Sequence, residues 1–311
     1  MERTGAILVT GSNRSGTTWV GRMLALSRDI AYIHEPFNPG VRPQLLRAPV
    51  LGHYTHVSSG NAEQYRGAMA DILRFNPLWK WQLVGVRSPK DVARVARAAA
   101  RFRRARRHGM RPLVKDPIAI FSSAWLHEEF GMDVVMMIRH PASYVSSIKR
   151  LGWDYDFAFL LRQEALVHGL LSEYRAEIER YSIVRATPFE QAILLWKLIY
   201  SVVDRFRDRY PSWIYLTLEE VAAAPEAQFA NLYTRLGLPL TNAISQSIAS
   251  FTGAHNPAER PTTERHDVRR NSRSVQESWQ GRLTAGELRA VRAGVGDIAD
   301  RFYEQASWSP H

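Results

Sequence analysis

Cysteine is absent from this 311-residue chain, which excludes disulfides and any metal site built on thiolates. Long apolar runs are absent too; none reaches the roughly 20 residues that a membrane-crossing helix needs. The first strand-like run, Ala6 to Thr10, begins almost at the N-terminus, so a secretory leader is not expected. No segment repeats at a fixed period and none is low in complexity. Acidic residues are scarce: 30 stand against 41 lysines and arginines, for a formal net charge of +11. That shortage points to anionic partners, whether a phosphorylated cofactor, an acidic substrate, nucleic acid or a membrane surface. With 45 % hydrophobic residues, the expectation is one cytoplasmic globular domain spanning 1–311.

Much of the positive excess sits between Arg94 and Arg111, RVARAAARFRRARRHGMR, a helical pattern ending near Gly109. It reads either as a solvated basic face or as a peripheral contact for an anionic surface. Nucleic-acid binding would want aromatic platforms or a docking motif beside the arginines, and the segment has neither.

Short apolar runs alternate with longer helical ones, the pattern of an α/β fold with a doubly wound, mostly parallel central sheet flanked by helices. Strands are expected at Ala6–Thr10, Ile30–Ile33, Pro112–Pro117, Asp133–Ile138 and Trp213–Leu218. Helices are expected at about 17–27, 62–75, 92–107, 157–181, 188–210, 225–236, 241–250 and 284–303. Residues 36–60, rich in Pro, Gly and His, form a loop of the kind that covers a site.

The first strand runs into Gly11-Ser12-Asn13-Arg14-Ser15-Gly16-Thr17-Thr18-Trp19. Two glycines five apart, between strand and helix, let backbone N–H groups close around an anion at the helix N-terminus. A nucleotide-binding Walker A loop would carry a lysine directly after the second glycine. Here that position is Thr17, and the one cation of the loop is Arg14. A transferred phosphoryl group carries two negative charges and usually needs a metal. A sulfuryl group carries one, for which amides, hydroxyls and one or two side-chain cations suffice. Downstream of DVVMMI comes Arg139-His140-Pro141, with Ser147 eight residues after Arg139. A cation at a strand's C-terminal end and a hydroxyl on the next helix can share one phosphate dianion.

From Arg14 onward the loop resembles the 5′-phosphosulfate loop, P-[KR]-S-G-[TS]-[TS]-W, of the sulfotransferases that use 3′-phosphoadenosine 5′-phosphosulfate (PAPS). Arg139 and Ser147 resemble the pair that holds the 3′-phosphate in that family. The resemblance implies a P-loop-like fold, PAPS as donor, adenosine 3′,5′-bisphosphate (PAP) as product, and no metal. It gives Arg14 the departing phosphosulfate and Ser15, Gly16, Thr17 and Thr18 the 5′-phosphate. Trp19 falls to the adenine, and Arg139 with Ser147 to the 3′-phosphate. The C-terminal cofactor-closing loop of the family is matched only in outline within 253–283: Arg273, with Arg269 and Arg270 as rivals, followed by Trp279.

For the acceptor proton, cytosolic members use a histidine on a K-T-H strand, where this chain has Val114-Lys115-Asp116-Pro117. Carbohydrate-type and bacterial members use a glutamate shortly after the first helix, and Glu35 of HEPFN stands there. Glu35 is therefore the first candidate base, with Asp116 second and His34 third, and Lys115 on the sulfuryl oxygens. Pro36 predicts extended backbone at Glu35. The chain looks more like the carbohydrate-type and bacterial branch. Segments 36–80 and 157–210 are expected to shape the pocket of a hydroxyl acceptor, whether a carbohydrate, glycolipid or small natural product. The alternatives are a P-loop kinase or NTPase, which would need a lysine at position 17, and a basic nucleic-acid or anionic-lipid binding module, which would not need the Arg139/Ser147 pair.

Overall fold

The computed structural model describes residues 5–41, 44–50, 52–77, 86, 88–253 and 279–308. Five strands, β1 (Ile7–Gly11), β2 (Ile30–His34), β3 (Arg111–Lys115), β4 (Asp133–Ile138) and β5 (Ile214–Thr217), form one sheet in the order β2-β3-β1-β4-β5. Every neighbouring pair among them is parallel. Parallel sheets are covered on both faces, so their strands read as unbroken apolar runs. In β1 every residue is buried, and in β4 all but Asp133 are. Side chains alternate along the strand: Ala6 and Leu8 enter one core, Ile7 and Val9 the other.

Twelve helices are described: α1 (Thr17–Leu24), α2 (Glu63–Leu73), α3 (Pro89–Arg107), α4 (Ser123–Phe130), α5 (Pro141–Leu151), α6 (Ala158–Leu161), α7 (Arg175–Ile183), α8 (Pro188–Arg209), α9 (Leu218–Ala223), α10 (Pro225–Arg235), α11 (Asn242–Thr252) and α12 (Ala285–Ala299). Trp19 and Val20 of α1 meet Phe229 and Leu232 of α10 on the Ile7/Val9 face. The larger core, on the other face, takes α5, α8 and α12. From β1 the chain moves out to the edge strand β2, returns through β3, then crosses β1 to β4. That reversal places a crevice at the C-terminal ends of β3, β1 and β4, where open α/β sheets bind their ligands.

The helix expected at 157–181 is broken into α6, a π turn at Leu166–Leu170 and α7. The cause is Gln163. Its side-chain Nε2 donates to the Phe159 carbonyl at 3.2 Å, the acceptor its own backbone N–H would use in an α-helix. That N–H instead reaches Leu160 O at 3.0 Å. The final helix stops at Ala299 rather than 303, and α9 was not expected at all. Thr217 and Glu220 form a reciprocal capping box that starts α9, a signal present in the sequence. No helix among the described residues is long and apolar enough to cross a membrane.

Candidate active site

The loop between β1 and α1 depends on its two glycines. Gly11 has φ 153°, and a Cβ there would lie 2.4 Å from Met137 O and 2.7 Å from Ser15 Oγ. Gly16 has φ 90°, and its Cβ would meet Leu218 Cδ1 at 2.6 Å. Between them Ser15 turns back on Ser12, its hydroxyl donating to Ser12 O at 2.7 Å. No side chain caps α1, so its first amides keep their hydrogen-bonding capacity for an anion. Thr17 is buried and Thr18 half-buried in that first turn. Trp19 lies in the core, edge-on to Phe229 at 5.6 Å, with its indole nitrogen buried and without a hydrogen bond.

Arg14 joins the loop to the second motif. Its backbone is left-handed, φ 70°, which costs a non-glycine residue energy and recurs at functional positions. Its Nε donates to Ser147 Oγ at 3.1 Å, and its carbonyl accepts from Arg139 Nη1 at 2.7 Å. Arg14 and the Arg139/Ser147 pair, assigned separately from the sequence, are thus one cluster. Arg139 is 6 % exposed, and its Nε is buried without a hydrogen-bond partner. Burial pushes its guanidinium pKa down, while the neighbouring Glu219 carboxylate works the other way.

Three supports of this cluster were missed by sequence reasoning. Trp196 and Tyr200 lie one turn apart on α8 and hold Arg139 by its backbone. Trp196 Nε1 donates to Arg139 O at 2.9 Å, and Arg139 N–H donates to the Tyr200 hydroxyl at 3.1 Å. The same hydroxyl is 2.8 Å from Ser12 Oγ, so one phenol links the two motifs. Their spacing of four on a helix was the available signal. Glu219 of α9 accepts from His140 N–H at 3.1 Å and from the Tyr303 hydroxyl at 2.9 Å. The His140 ring stacks on Trp279 and meets Tyr303 and Trp308 edge-on, so the C-terminal segment closes beside Arg139.

A second cluster stands at the ends of β2 and β3. Lys115 is fully buried, and its Nζ donates to Glu35 Oε1. Asn38 Nδ2 donates to the other oxygen, Oε2, at 2.6 Å. Burial pushes the Glu35 pKa up, but the Lys115 ammonium, His34 and the two hydrogen bonds outweigh it and hold the group below the usual carboxylate range. Lys115 is pushed down by burial, with Glu35 opposing. His34 stacks on Tyr32, whose ring lies under the Arg22 guanidinium.

Contrary to the extended geometry expected before Pro36, Glu35 is left-handed, φ 44°. A tight turn overrides the proline's preference: Glu35 N–H continues the ladder to Lys115 O at 2.9 Å, and Asn38 N–H returns to Glu35 O at 3.1 Å. Asp116 fastens that turn. Its Oδ2 accepts from Phe37 N–H at 2.7 Å, and its Oδ1 accepts from Ile118 N–H at 3.1 Å. Burial pushes its pKa up to about 8, with the Glu35 charge adding.

Residues 52–57 close over the loop. Tyr54 is left-handed and buried, and its hydroxyl faces the Asn13 backbone and the Tyr144 hydroxyl. His53 beside it senses the Glu35 charge, although burial sets the net direction and lowers its pKa. Arg273, Arg269 and Arg270 lie outside the described residues, as does most of the 253–283 segment.

A model described as the sulfotransferase family matches residues 6–242. No curated protein sequence matches the chain. Among solved structures, a sulfotransferase domain from the curacin biosynthetic pathway is 14 % identical, with TM-score 0.48, over 94 % of this chain and 97 % of its own. The sulfotransferase STF1 of Mycobacterium tuberculosis is 17 % identical, with TM-score 0.42, over 89 % and 76 %. A mouse sulfotransferase crystallised with PAP is 13 % identical, with TM-score 0.44, over 98 % and 87 %.

Proposed function

Because this chain belongs to the sulfotransferase family, we propose that it moves the sulfuryl group of PAPS onto a hydroxyl acceptor, a carbohydrate, glycolipid or small natural product, in line and without a metal. What carries the reading is the position of Arg14, which touches both halves of a bisphosphate site at once. The residues present suit that donor. The uncapped start of α1 with Ser15, Thr17 and Thr18 suits the 5′-phosphate. The buried, unpartnered Nε of Arg139, beside the Ser147 hydroxyl, suits the 3′-phosphate.

In this scheme Arg14 exchanges Ser147 for the bridging oxygen, and Lys115 leaves Glu35 to meet the sulfuryl oxygens. Losing that ammonium raises the proton affinity of Glu35 when a base is needed. As the acceptor oxygen bonds to sulfur, the sulfur–oxygen bond to phosphate breaks. Glu35 takes the acceptor proton, and Arg14 meets the charge left on the phosphate. Asp116, with both oxygens on backbone amides, shapes the turn and does not react. His53 and Tyr54 place segment 52–57 on the acceptor side. The protein works as a single domain in the cytoplasm.

Calorimetry with PAP, AMP and ATP tests the donor: PAP binds at least about tenfold tighter than either, in keeping with one extra charge-assisted phosphate site. Equal affinity for AMP and PAP overturns the proposal. Transfer from PAPS persists in EDTA; a metal requirement likewise overturns the scheme.

A further inference from the structure

Helix α3 carries more positive charge than its surroundings answer. Its buried stripe is Val95, Ala98, Phe102 and Ala105, with Phe102 edge-on to Phe75 at 5.6 Å. Everything charged on the helix points elsewhere. Lys90, Arg94, Arg97, Arg101, Arg103, Arg104, Arg106 and Arg107 are all exposed, and Asp91 is the one acid among residues 89–107. Among the described residues the side-chain partners of these arginines are few. Arg94 pairs with Asp91 at 3.1 Å, Arg97 Nε donates to the Ala93 carbonyl one turn back at 3.0 Å, and Arg106 reaches Asn76 at 3.3 Å.

The arrangement is not a uniform charged face. At 100° per residue, exposed Ala93, Ala96 and Ala100 fall together on the side opposite the buried stripe. Lys90, Arg94, Arg97, Arg101 and Arg104 follow at three- and four-residue steps along one border of that alanine floor. Arg103 and Arg107 stand on its far side and end. The surface is a short alanine floor of about 10 Å, from Ala93 to Ala100, bordered along one side by a cationic row of about 21 Å from Lys90 to Arg104. It is far from the reacting groups at its most basic end. α3 leads through three residues into the start of β3, whereas Lys115 is at the end of that strand.

We propose that this face docks a helix of a partner protein that presents a row of carboxylates. Exposed small residues let a second helix backbone approach closely, and guanidinium forks suit carboxylates bidentately. A lipid surface would use the arginines but has no use for the alanine floor. Of the large apolar side chains only Val92 is exposed on the helix, so nothing is offered for insertion. Nucleic acid would want aromatic platforms, which the face does not provide.

The test uses the whole chain and a synthetic amphipathic peptide of about 20 residues, with glutamates at i, i+3, i+4 and i+7 on an alanine background. Titration by anisotropy is expected to give saturable binding that weakens by about tenfold between about 0.05 M and 0.3 M salt. R97Q/R101Q/R104Q is expected to weaken it by about tenfold or more. A96Q/A100Q keeps every charge and fills the floor, and it is expected to weaken binding comparably. PAP calorimetry on each variant, expected unchanged, confirms that the fold is kept. Three results overturn the proposal: no peptide binding at low salt, undiminished binding by A96Q/A100Q, or phosphatidylserine vesicles that bind wild type more tightly than the peptide and bind A96Q/A100Q equally. The last outcome would make the face a membrane contact instead.

Discussion

The phosphate loop and the segment folded over it each hold a non-glycine residue in left-handed backbone, Arg14 at φ 70° and Tyr54 at φ 67°, by opposite means. Arg14 is held locally, by flanking glycines and the Ser15–Ser12 turn, with α8 and α5 adding contacts around it. Tyr54 is held from far away. Gln163 Nε2 donates to its carbonyl at 3.2 Å, and Gln163 Oε1 accepts from His56 N–H at 2.7 Å. Ser122 Oγ donates to Thr55 O and accepts from Val57 N–H. The loop is thus a short motif that carries its own geometry, while segment 52–57 is assembled by distant polar side chains. On the proposed reading the donor side can stay constant while the acceptor side is rebuilt by changing residues far along the chain.

Glu35 sits on the boundary between these regions, and the largest effect is expected there. Glu35→Gln should lower turnover by about 10²–10⁴-fold while PAP affinity stays within about twofold. Asp116→Asn is the contrast. It disturbs the turn that carries Glu35, so it should lower thermal stability as well as rate. Single-turnover kinetics beside calorimetry separates the two. If Asp116→Asn abolishes turnover with stability intact and Glu35→Gln does not, the base is Asp116.

Arg14→Ala should cost about 10²–10³-fold in rate, the usual loss when one donor to developing charge is removed. Its circular dichroism and melting should stay close to wild type, because alanine keeps the left-handed backbone at the cost arginine already bears and only the half-buried side-chain contact with Ser147 is lost. Near-normal turnover would make Arg14 a spectator and remove the link between the two phosphate motifs.

Legibility followed the same division. The β1 strand with its glycine loop and the β4 strand were readable because each is a contiguous run whose backbone is set locally. The structure then supplied what spacing does not encode, namely that Arg14 contacts both residues of the second motif. Tyr200 and Trp196 looked like core aromatics on a long helix, and only the fold shows them gripping Arg139. The break at Gln163 was invisible because the hydrophobic period continues through it while a side-chain amide takes a backbone bond. At Glu35 the local rule for residues before proline lost to a turn fastened by Asp116, an acid 79 residues from the amide it accepts.

Gln163 tests whether the regions are independent. Gln163→Leu leaves the Tyr54 carbonyl and the His56 amide without their partner, a loss of about 1–3 kcal/mol for a buried unsatisfied group. The melting temperature should drop and the acceptor KM rise, with PAP affinity unchanged within about twofold. Equal loss of PAP affinity would mean that segment 52–57 also supports the phosphate loop and is not separable from it; the Tyr54 hydroxyl, which faces the Asn13 backbone, is where that would act.

The smallest effect is a dependence on pH, and it belongs to the phosphate side. His140 follows Arg139 and is enclosed by Trp279, Tyr303 and Trp308. Burial pushes its pKa from 6.5 down to about 3, with Arg139 and Arg292 adding. The ring is therefore neutral in the fold and binds a proton more readily once unfolded. Its contribution to stability is complete above pH 6.5 and is lost as pH falls from there toward about 3. One such proton can tilt the stability curve by at most about 1.4 kcal/mol per pH unit. His53 and His56 are also shifted down by burial, so wild type alone does not isolate the effect. His140→Phe keeps the aromatic packing and removes the proton. Melting followed between pH 7 and pH 4 should show a shallower decline in the variant, with the two curves close at pH 7 and separating in acid, the variant above wild type. Parallel curves would mean that the clasp opens without exposing His140, and that acid weakens the molecule elsewhere, through the carboxylates Lys115 and Lys149 hold down at Glu35 and Glu287.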